Sequence, residues 1–263
     1  MYAFEYQKPK SLAEIAQRAA DEDAKILAGG MTLLPTLKQR LARPTELIDL
    51  AGLAELKGIR KEGNDLVIGA MTRHVEVHES DVVRSTIPAL AELAGMIGDP
   101  AVRNRGTIGG SIANADPAAD YPAAVVGLGA TVITNQRQIS ADEFFTGLFE
   151  TALKPGEIVT AVRFPPAQKA SYMKFRNPAS RYAIVGVFVA QTSGGVRVAV
   201  TGAGPSVFRQ TDMEAALAKS FTPDAIKDVK QNPDGLNSDI HASAEYRAHL
   251  VGVMARRAVE KCR

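Results

Sequence analysis

The sequence predicts an α+β chain: two α/β subdomains followed by a small α+β C-terminal domain. Three observations carry that expectation. The 263 residues, at roughly 100–200 per domain, allow one large domain or two to three small ones with a substantial core. Helical and strand-like hydrophobic periods alternate along most of the length. Breaks in composition near Gly52 and at Pro165-Pro166 divide the chain into residues 1–52, 53–166 and 167–263.

Residues 11–20 read as a helix opened by a Ser11 cap with Glu14 three residues on, and residues 24–28 as a short strand. Residues 33–42 place apolar side chains at helical spacing against a basic face and stop before Pro44. Residues 46–50 form the next strand, closing a β-α-β unit. Residues 56–60 and 65–70 suit a hairpin turning at Gly63-Asn64. The helical pattern returns over 74–94, punctuated by Ser80-Asp81 and Pro88. Strands are expected at 131–134, 156–164 and 170–175. In the last third, 183–191 and 196–201 make a hairpin about Ser193-Gly194-Gly195, with helices at 211–219 and 243–261.

Composition removes whole classes of function. Hydrophobic residues make up 46% of the chain and charged residues 23%, which excludes disordered and fibrous proteins. The 31 Lys and Arg against 29 Asp and Glu leave a net charge of +2, too weak a field to suggest a nucleic-acid or anionic membrane surface. The first ten residues lack an apolar signal core and no run of about 18 apolar residues occurs, so a cytoplasmic chain with no membrane span is expected. Cys262 is the single cysteine. It cannot build a disulfide framework, an iron–sulfur site or a Cys-based zinc site, so redox chemistry needs a borrowed cofactor.

Two glycine loops stand out. Ala28-Gly29-Gly30-Met31-Thr32 falls between a strand and a helix, where paired glycines let backbone N–H groups approach an anion and Thr32 adds a hydroxyl. The same residues also suit a tight turn with no ligand. The segment 98–120 contains Thr107-Ile108-Gly109-Gly110-Ser111, Asn114 and Asp120, is rich in hydroxyls and backbone donors, and has few bulky side chains, as expected where a chain wraps a polar ligand. Two diglycines with a hydroxyl nearby suit the two phosphates of one pyrophosphate, hence a dinucleotide. The Rossmann and P-loop patterns are absent: Gly127-Leu128-Gly129 and Gly202-Ala203-Gly204 both lack the third glycine, and Pro205 removes a donor.

These motifs, Ala-Gly-Gly-x-Thr-Leu-Leu-Pro and Thr-Ile-Gly-Gly-Ser-x-Ala-x-Ala-Asp-Pro-Ala-Ala-Asp, resemble those of the FAD-binding medium subunit of molybdenum hydroxylases, of the carbon monoxide dehydrogenase and xanthine dehydrogenase type. Arg43-Pro44, Lys174-Phe175-Arg176 before Ala183, and Val198 to Gly204 extend the resemblance over nearly the whole chain. It implies a PCMH-type FAD-binding fold of two α/β subdomains with a small α+β C-terminal domain. FAD would be non-covalent, its pyrophosphate held by Ala28, Gly29, Gly30, Met31, Thr32 and Leu33 and by Thr107, Ile108, Gly109, Gly110 and Ser111. Asn114 and Asp120 match cofactor-contact positions, Asp120 as an acceptor for ribose or adenine donors. Lys174 matches a position near the flavin ring, where a cation stabilises the reduced form. Ile97 and Val159 are weaker carry-overs, and Met31 departs from the polar residue common in relatives.

The resemblance further implies an electron-transfer subunit working with a molybdopterin-containing large subunit and an iron–sulfur small subunit, as a dimer of heterotrimers. Its FAD passes electrons to NAD, a quinone or oxygen. Molybdopterin and the clusters sit on the partners only, and no residue of this chain is assigned a catalytic or metal-binding role. A free-standing FAD-dependent oxidase or reductase and a non-redox nucleotide-binding module are the other readings. Tyr182 either covers a flavin face or packs in the core. Arg103 and Arg105 suit either the pyrophosphate or a surface role. His74 and His78 have metal-pair spacing without a third ligand, while His241 and His249 fall in a polar C-terminal helix.

Overall fold

The computed structural model describes residues 1–262. Its first part is a three-stranded parallel sheet. Strand β1 (Glu5–Gln7) leads through helix α1 (Leu12–Arg18) to β2 (Ala24–Leu27), then helix α2 (Leu33–Lys38) leads to β3 (Glu46–Asp49), which pairs with both other strands in the order β1-β3-β2. Ser11 accepts from the Glu14 N–H at 3.3 Å as the cap of α1. A small core forms here around Ile15, Ile48, Leu50 and Leu53, and Met71 and Ile158 join it from the next part of the chain.

The second part begins with the hairpin β4 (Ile59–Glu62) and β5 (Asp65–Gly69). The expected helical run from residue 74 is three helices: α3 (His74–Glu79), α4 (Asp81–Thr86) and α5 (Pro88–Gly95). The chain breaks where its stop signals fall: Ser80 caps α4 through the Val83 N–H, and Pro88 opens α5. Segment 98–120, read as a wrapping loop, contains α6 (Pro100–Arg103) and α7 (Ile108–Asn114). Helix α8 (Tyr121–Gly127) then crosses the interior, every residue buried. Strands β6 (Thr131–Thr134) and β7 (Gln138–Ser140) follow, then α9 (Ala141–Phe144), the small hairpin β8 (Phe145–Gly147) and β9 (Glu150–Thr151), and finally β10 (Val159–Phe164). The resulting sheet has the order β4-β5-β10-β6-β7.

In the third part, β11 (Ala167–Arg176), β12 (Ala183–Thr192), β13 (Gly195–Thr201) and β14 (Phe208–Arg209) form an antiparallel meander, followed by α10 (Thr211–Lys219) and α11 (Ala244–Lys261). His241 lies in the loop before α11 rather than in that helix. Strand β12 is buried on both faces, which explains its unbroken apolar run. Val187 and Val189 pack with Val251 and Met254 of α11, while Phe188 and Ala190 enter the same core as Val125 of α8 and Leu90 of α5. The sheet of the third part thus closes the core of the second.

Candidate functional site

A cleft of about 510 Å³ is lined by all three parts of the chain. It lies within the range of small-molecule and cofactor sites. Its first wall is the loop after β2. Gly30 has φ +76°, a conformation open to glycine and costly for L side chains, and its carbonyl accepts the Leu34 N–H at 3.1 Å. Among the described residues, no backbone acceptor takes the N–H of Gly29, Gly30, Met31 or Thr32, and no cap bond uses the Thr32 hydroxyl. This loop therefore presents free donors to the cleft.

The facing loop spends its donors inside the protein. The Ile108 N–H donates to Thr72 O (3.1 Å), Gly109 N–H to Ala70 O (2.8 Å), Ser111 N–H to Thr107 O (3.0 Å) and Gly110 N–H to the Thr107 hydroxyl (3.2 Å). Thr107 is thus the cap of α7, not a free hydroxyl. Ala70 lies so close that a Cβ on Gly109 would sit 2.5 Å from its Cβ, and a Cβ on Gly110 would sit 3.3 Å from that of Ala28. These glycines let one backbone approach another. What this loop offers a ligand is the Ser111 side chain and, one turn on, Asn114, both on the cleft wall.

At a buried corner, Asp120 sits immediately before α8 with both carboxylate oxygens taken. Tyr172 Oη donates to one at 2.5 Å and Lys174 Nζ to the other at 2.8 Å. Burial raises the Asp120 pKa, opposed by the Lys174 charge and by both hydrogen bonds. Lys174 also donates to Met96 O at 3.3 Å. Asp120 lines the cleft, whereas Lys174, behind it, does not. The cation acts on the cleft through the carboxylate, and Asp120 is already committed as an acceptor.

A strap from the third part, residues 177–182, crosses the rim. Asn177 Oδ1 accepts the N–H groups of Ala179 and Ser180, the Asn177 N–H donates to Tyr182 O, and Arg181 stands at φ +64°. Tyr182 is on the cleft wall and 44% exposed, so it is not a packed core residue. Burial and the charge of Asp116 raise the pKa of its hydroxyl, while Thr32 beside it works the other way.

Of the residues expected from sequence, Ala28, Gly29, Gly30, Met31, Thr32 and Leu33 line the cleft from one side, and Thr107, Gly109, Gly110, Ser111, Asn114 and Asp120 from the other. Ile97 and Val159 join them. Ile108 does not: its side chain is fully buried in the core of the second part. Sequence reading missed Asp116, Leu153 and Glu157, and weighed His74 only as half of a metal pair. Asp116 lay within the quoted Ala-Asp-Pro-Ala-Ala-Asp motif and could have been found there. Glu157 gave no signal, because its place depends on Arg137, the Lys154 N–H and Thr134, which overcome the effect of burial and pull its pKa down to about 2. His74 is buried against Tyr121, with its pKa lowered to about 4 by burial and by the charge of Arg103. His78 Nδ1 is spent on Ala91 O at 2.9 Å.

A cleft with one donor-lined glycine loop, a second close-packed glycine loop and a buried cation behind a carboxylate defines a protein that holds a large polar dinucleotide. Residues 2–167 match the FAD binding domain in molybdopterin dehydrogenase, and residues 170–262 the CO dehydrogenase flavoprotein C-terminal domain. The carbon monoxide dehydrogenase medium chain of Hydrogenophaga pseudoflava is 35% identical, covering 97% of this chain and 96% of its own, and that of Afipia carboxidovorans is 36% identical, covering 99% and 97%. A solved structure of the Hydrogenophaga pseudoflava carbon monoxide dehydrogenase, lacking the Mo-pyranopterin moiety of its cofactor, superposes with a TM-score of 0.89 at 37% identity over 98% of this chain and 96% of that one. This chain belongs to the family of FAD-binding medium subunits of molybdenum hydroxylases of the carbon monoxide dehydrogenase and xanthine dehydrogenase type. It is an FAD-dependent oxidoreductase subunit, and the family works with large and small partner subunits. A free-standing oxidase or reductase is not favoured. Among the described residues, no helix is long and apolar enough to cross a membrane.

Proposed function

We propose that this subunit takes electrons from the iron–sulfur clusters of a small partner subunit, fed by a molybdopterin site on a large one, and delivers them to an external acceptor. The observation that carries the reading is the pairing, in one cleft, of free loop donors with the buried Asp120–Lys174 pair. FAD supplies the redox chemistry when bound. The N–H groups of Gly29 to Thr32 would donate to its pyrophosphate, and Ser111 and Asn114 would add side-chain donors from the opposite wall. Lys174, fixed by Asp120 and Met96 O behind the cleft wall, would act on a bound flavin through the Asp120 carboxylate it holds. Tyr182 shields the cleft from water at the strap.

The division at 52/53 and 166/167, the dimer of heterotrimers and the cytoplasmic setting belong to the same reading. The test is direct: purify the chain with its co-expressed neighbours, record the visible spectrum and release the chromophore with acid. FAD in near-equimolar amount, with molybdopterin and iron–sulfur subunits co-purifying, is the expected outcome. A colourless protein with no affinity for FAD would overturn it.

A further inference from the structure

We propose that Tyr172 is a positioning residue for the cofactor cleft: from behind the wall, its hydroxyl orients the Asp120 carboxylate and keeps it an acceptor-only anion facing bound FAD. The inference rests on the FAD reading above and extends it to a residue that does not itself line the cleft. Tyr172 stands two residues before Lys174 on β11, so both side chains leave the same face of the strand. Both reach Asp120: Tyr172 Oη donates to Oδ1 at 2.5 Å and Lys174 Nζ to Oδ2 at 2.8 Å. Each oxygen accepts once from behind, and a carboxylate has about four lone-pair sites, so acceptor sites remain for the cleft.

The surroundings are shaped for this contact. Tyr172 is fully buried, with its ring stacked on Phe188 at 6.3 Å between centroids, so its hydroxyl has no solvent to donate to. Gly186 of β12 pairs in register with Lys174, and a Cβ there would collide with Tyr172 Oη. A glycine inside a buried strand marks such a close approach. The same sheet clamps the turn that leads into Asp120. Thr201 Oγ1 lies 2.9 Å from Pro117 O and 2.6 Å from Ala119 O, the Gly202 N–H donates to Pro117 O at 2.7 Å, and the Ala183 N–H donates to Ala118 O at 3.3 Å. The third part therefore fixes both the backbone before Asp120 and the direction of its side chain.

A buried carboxylate without such donors takes up a proton and becomes a donor itself. Burial pushes Asp120 that way, and the Lys174 charge and the two hydrogen bonds oppose it. Burial and the Asp120 charge hold the Tyr172 hydroxyl protonated, so it goes on donating. The other titratable groups around Asp120 are Tyr121 beside it on α8, Tyr182 on the strap, Asp116 on the preceding turn and His74 packed on Tyr121. Burial raises both tyrosines and lowers His74 to about 4, so all three stay neutral near neutral pH. Asp116 is the one neighbouring carboxylate whose titration has to be told apart from that of Asp120.

The test strips FAD from the assembled enzyme and titrates it back, following flavin fluorescence from about pH 5 to 9. Tyr172→Phe keeps the ring and removes only the hydroxyl. The pH at which FAD affinity falls on the acid side is expected to rise by roughly one to two units relative to the parent, with little change in affinity on the alkaline side. Adding Asp120→Asn should abolish this step, whereas adding Asp116→Asn should leave the shift in place. 3-Fluorotyrosine at position 172 keeps the phenol and donates more strongly, so it should move the step down, which decides the matter even if Tyr172→Phe does not assemble. The proposal is overturned if the Tyr172→Phe and parent profiles coincide, if affinity drops equally at every pH, as a packing role alone would cause, or if the step survives Asp120→Asn. Failure of the underlying reading looks different, because the parent would then bind no FAD at any pH.

Discussion

Gly29 to Thr32 and Thr107 to Ser111 meet where Ala28 approaches Gly110, and they differ in where their backbone donors go. The first loop turns through a left-handed Gly30 and leaves its N–H groups free. In the second, the donors are spent on Thr72, Ala70 and Thr107, and its glycines lie against Ala70 and Ala28. The two diglycine segments thus differ in their free donors, although Gly29 of the first also lies hard against the backbone of Arg105 and Gly106. A diglycine beside a hydroxyl marks a place where something comes close, and in both segments another part of the backbone does so.

The contrast is broken most forcefully at Gly109 and Gly30. Gly109→Val drives a side chain into the Ala70 backbone, so the fold is expected to lose roughly 3 kcal/mol or more, measured by chemical denaturation. Gly30→Ala is expected to cost about 1–2 kcal/mol of backbone strain, and to weaken FAD retention more than it lowers the melting temperature. Equal stability losses from the two substitutions would contradict the division of labour. A finer comparison uses the hydroxyls. Thr107→Val removes the cap of α7 and should lower stability by about 1 kcal/mol, whereas Ser111→Ala should leave stability alone and weaken FAD binding by about 0.5–1.5 kcal/mol, read by flavin titration of the apoprotein.

A further contrast is one of pH. His74, packed beside Gly106 at the entrance to the second loop, has a folded pKa of about 4 against an ordinary 6.5. The unfolded chain therefore binds a proton first. Stability from the buried neutral ring is complete above pH 6.5 and falls as the pH drops from 6.5 to 4. Replacing His74 with Gln should flatten this segment of the stability profile in denaturant titrations between those pH values.

Much of this was legible from residues alone. Strands 46–50 and 131–134, the Ser11 cap and the first glycine loop carry local signals of period, cap or turn, and the structure has β3, β6, α1 and that loop in those places, whereas the second glycine segment lies in α7. Helix α8 was not legible, because a helix buried on every side shows no amphipathic period. The free and spent donors of the two loops were also hidden, since Thr72 and Ala70 reach the second loop only through the fold. Lys174 was expected beside the ring and Asp120 as a free acceptor. Their mutual bond is long-range, across 54 residues, and no local pattern encodes it.

The sheet of the third part has a further consequence. Tyr172 and Phe188 belong to the same core as Val125 and Leu90, so residues 167–262 are not an appendage that can be cut away. Removing them would strand Asp120 without its partners and expose one face of α8. The second and third parts are therefore expected to unfold as one cooperative unit. The small first part is tied to the second in turn, because Met71 and Ile158 complete the core around Ile15 and Ile48.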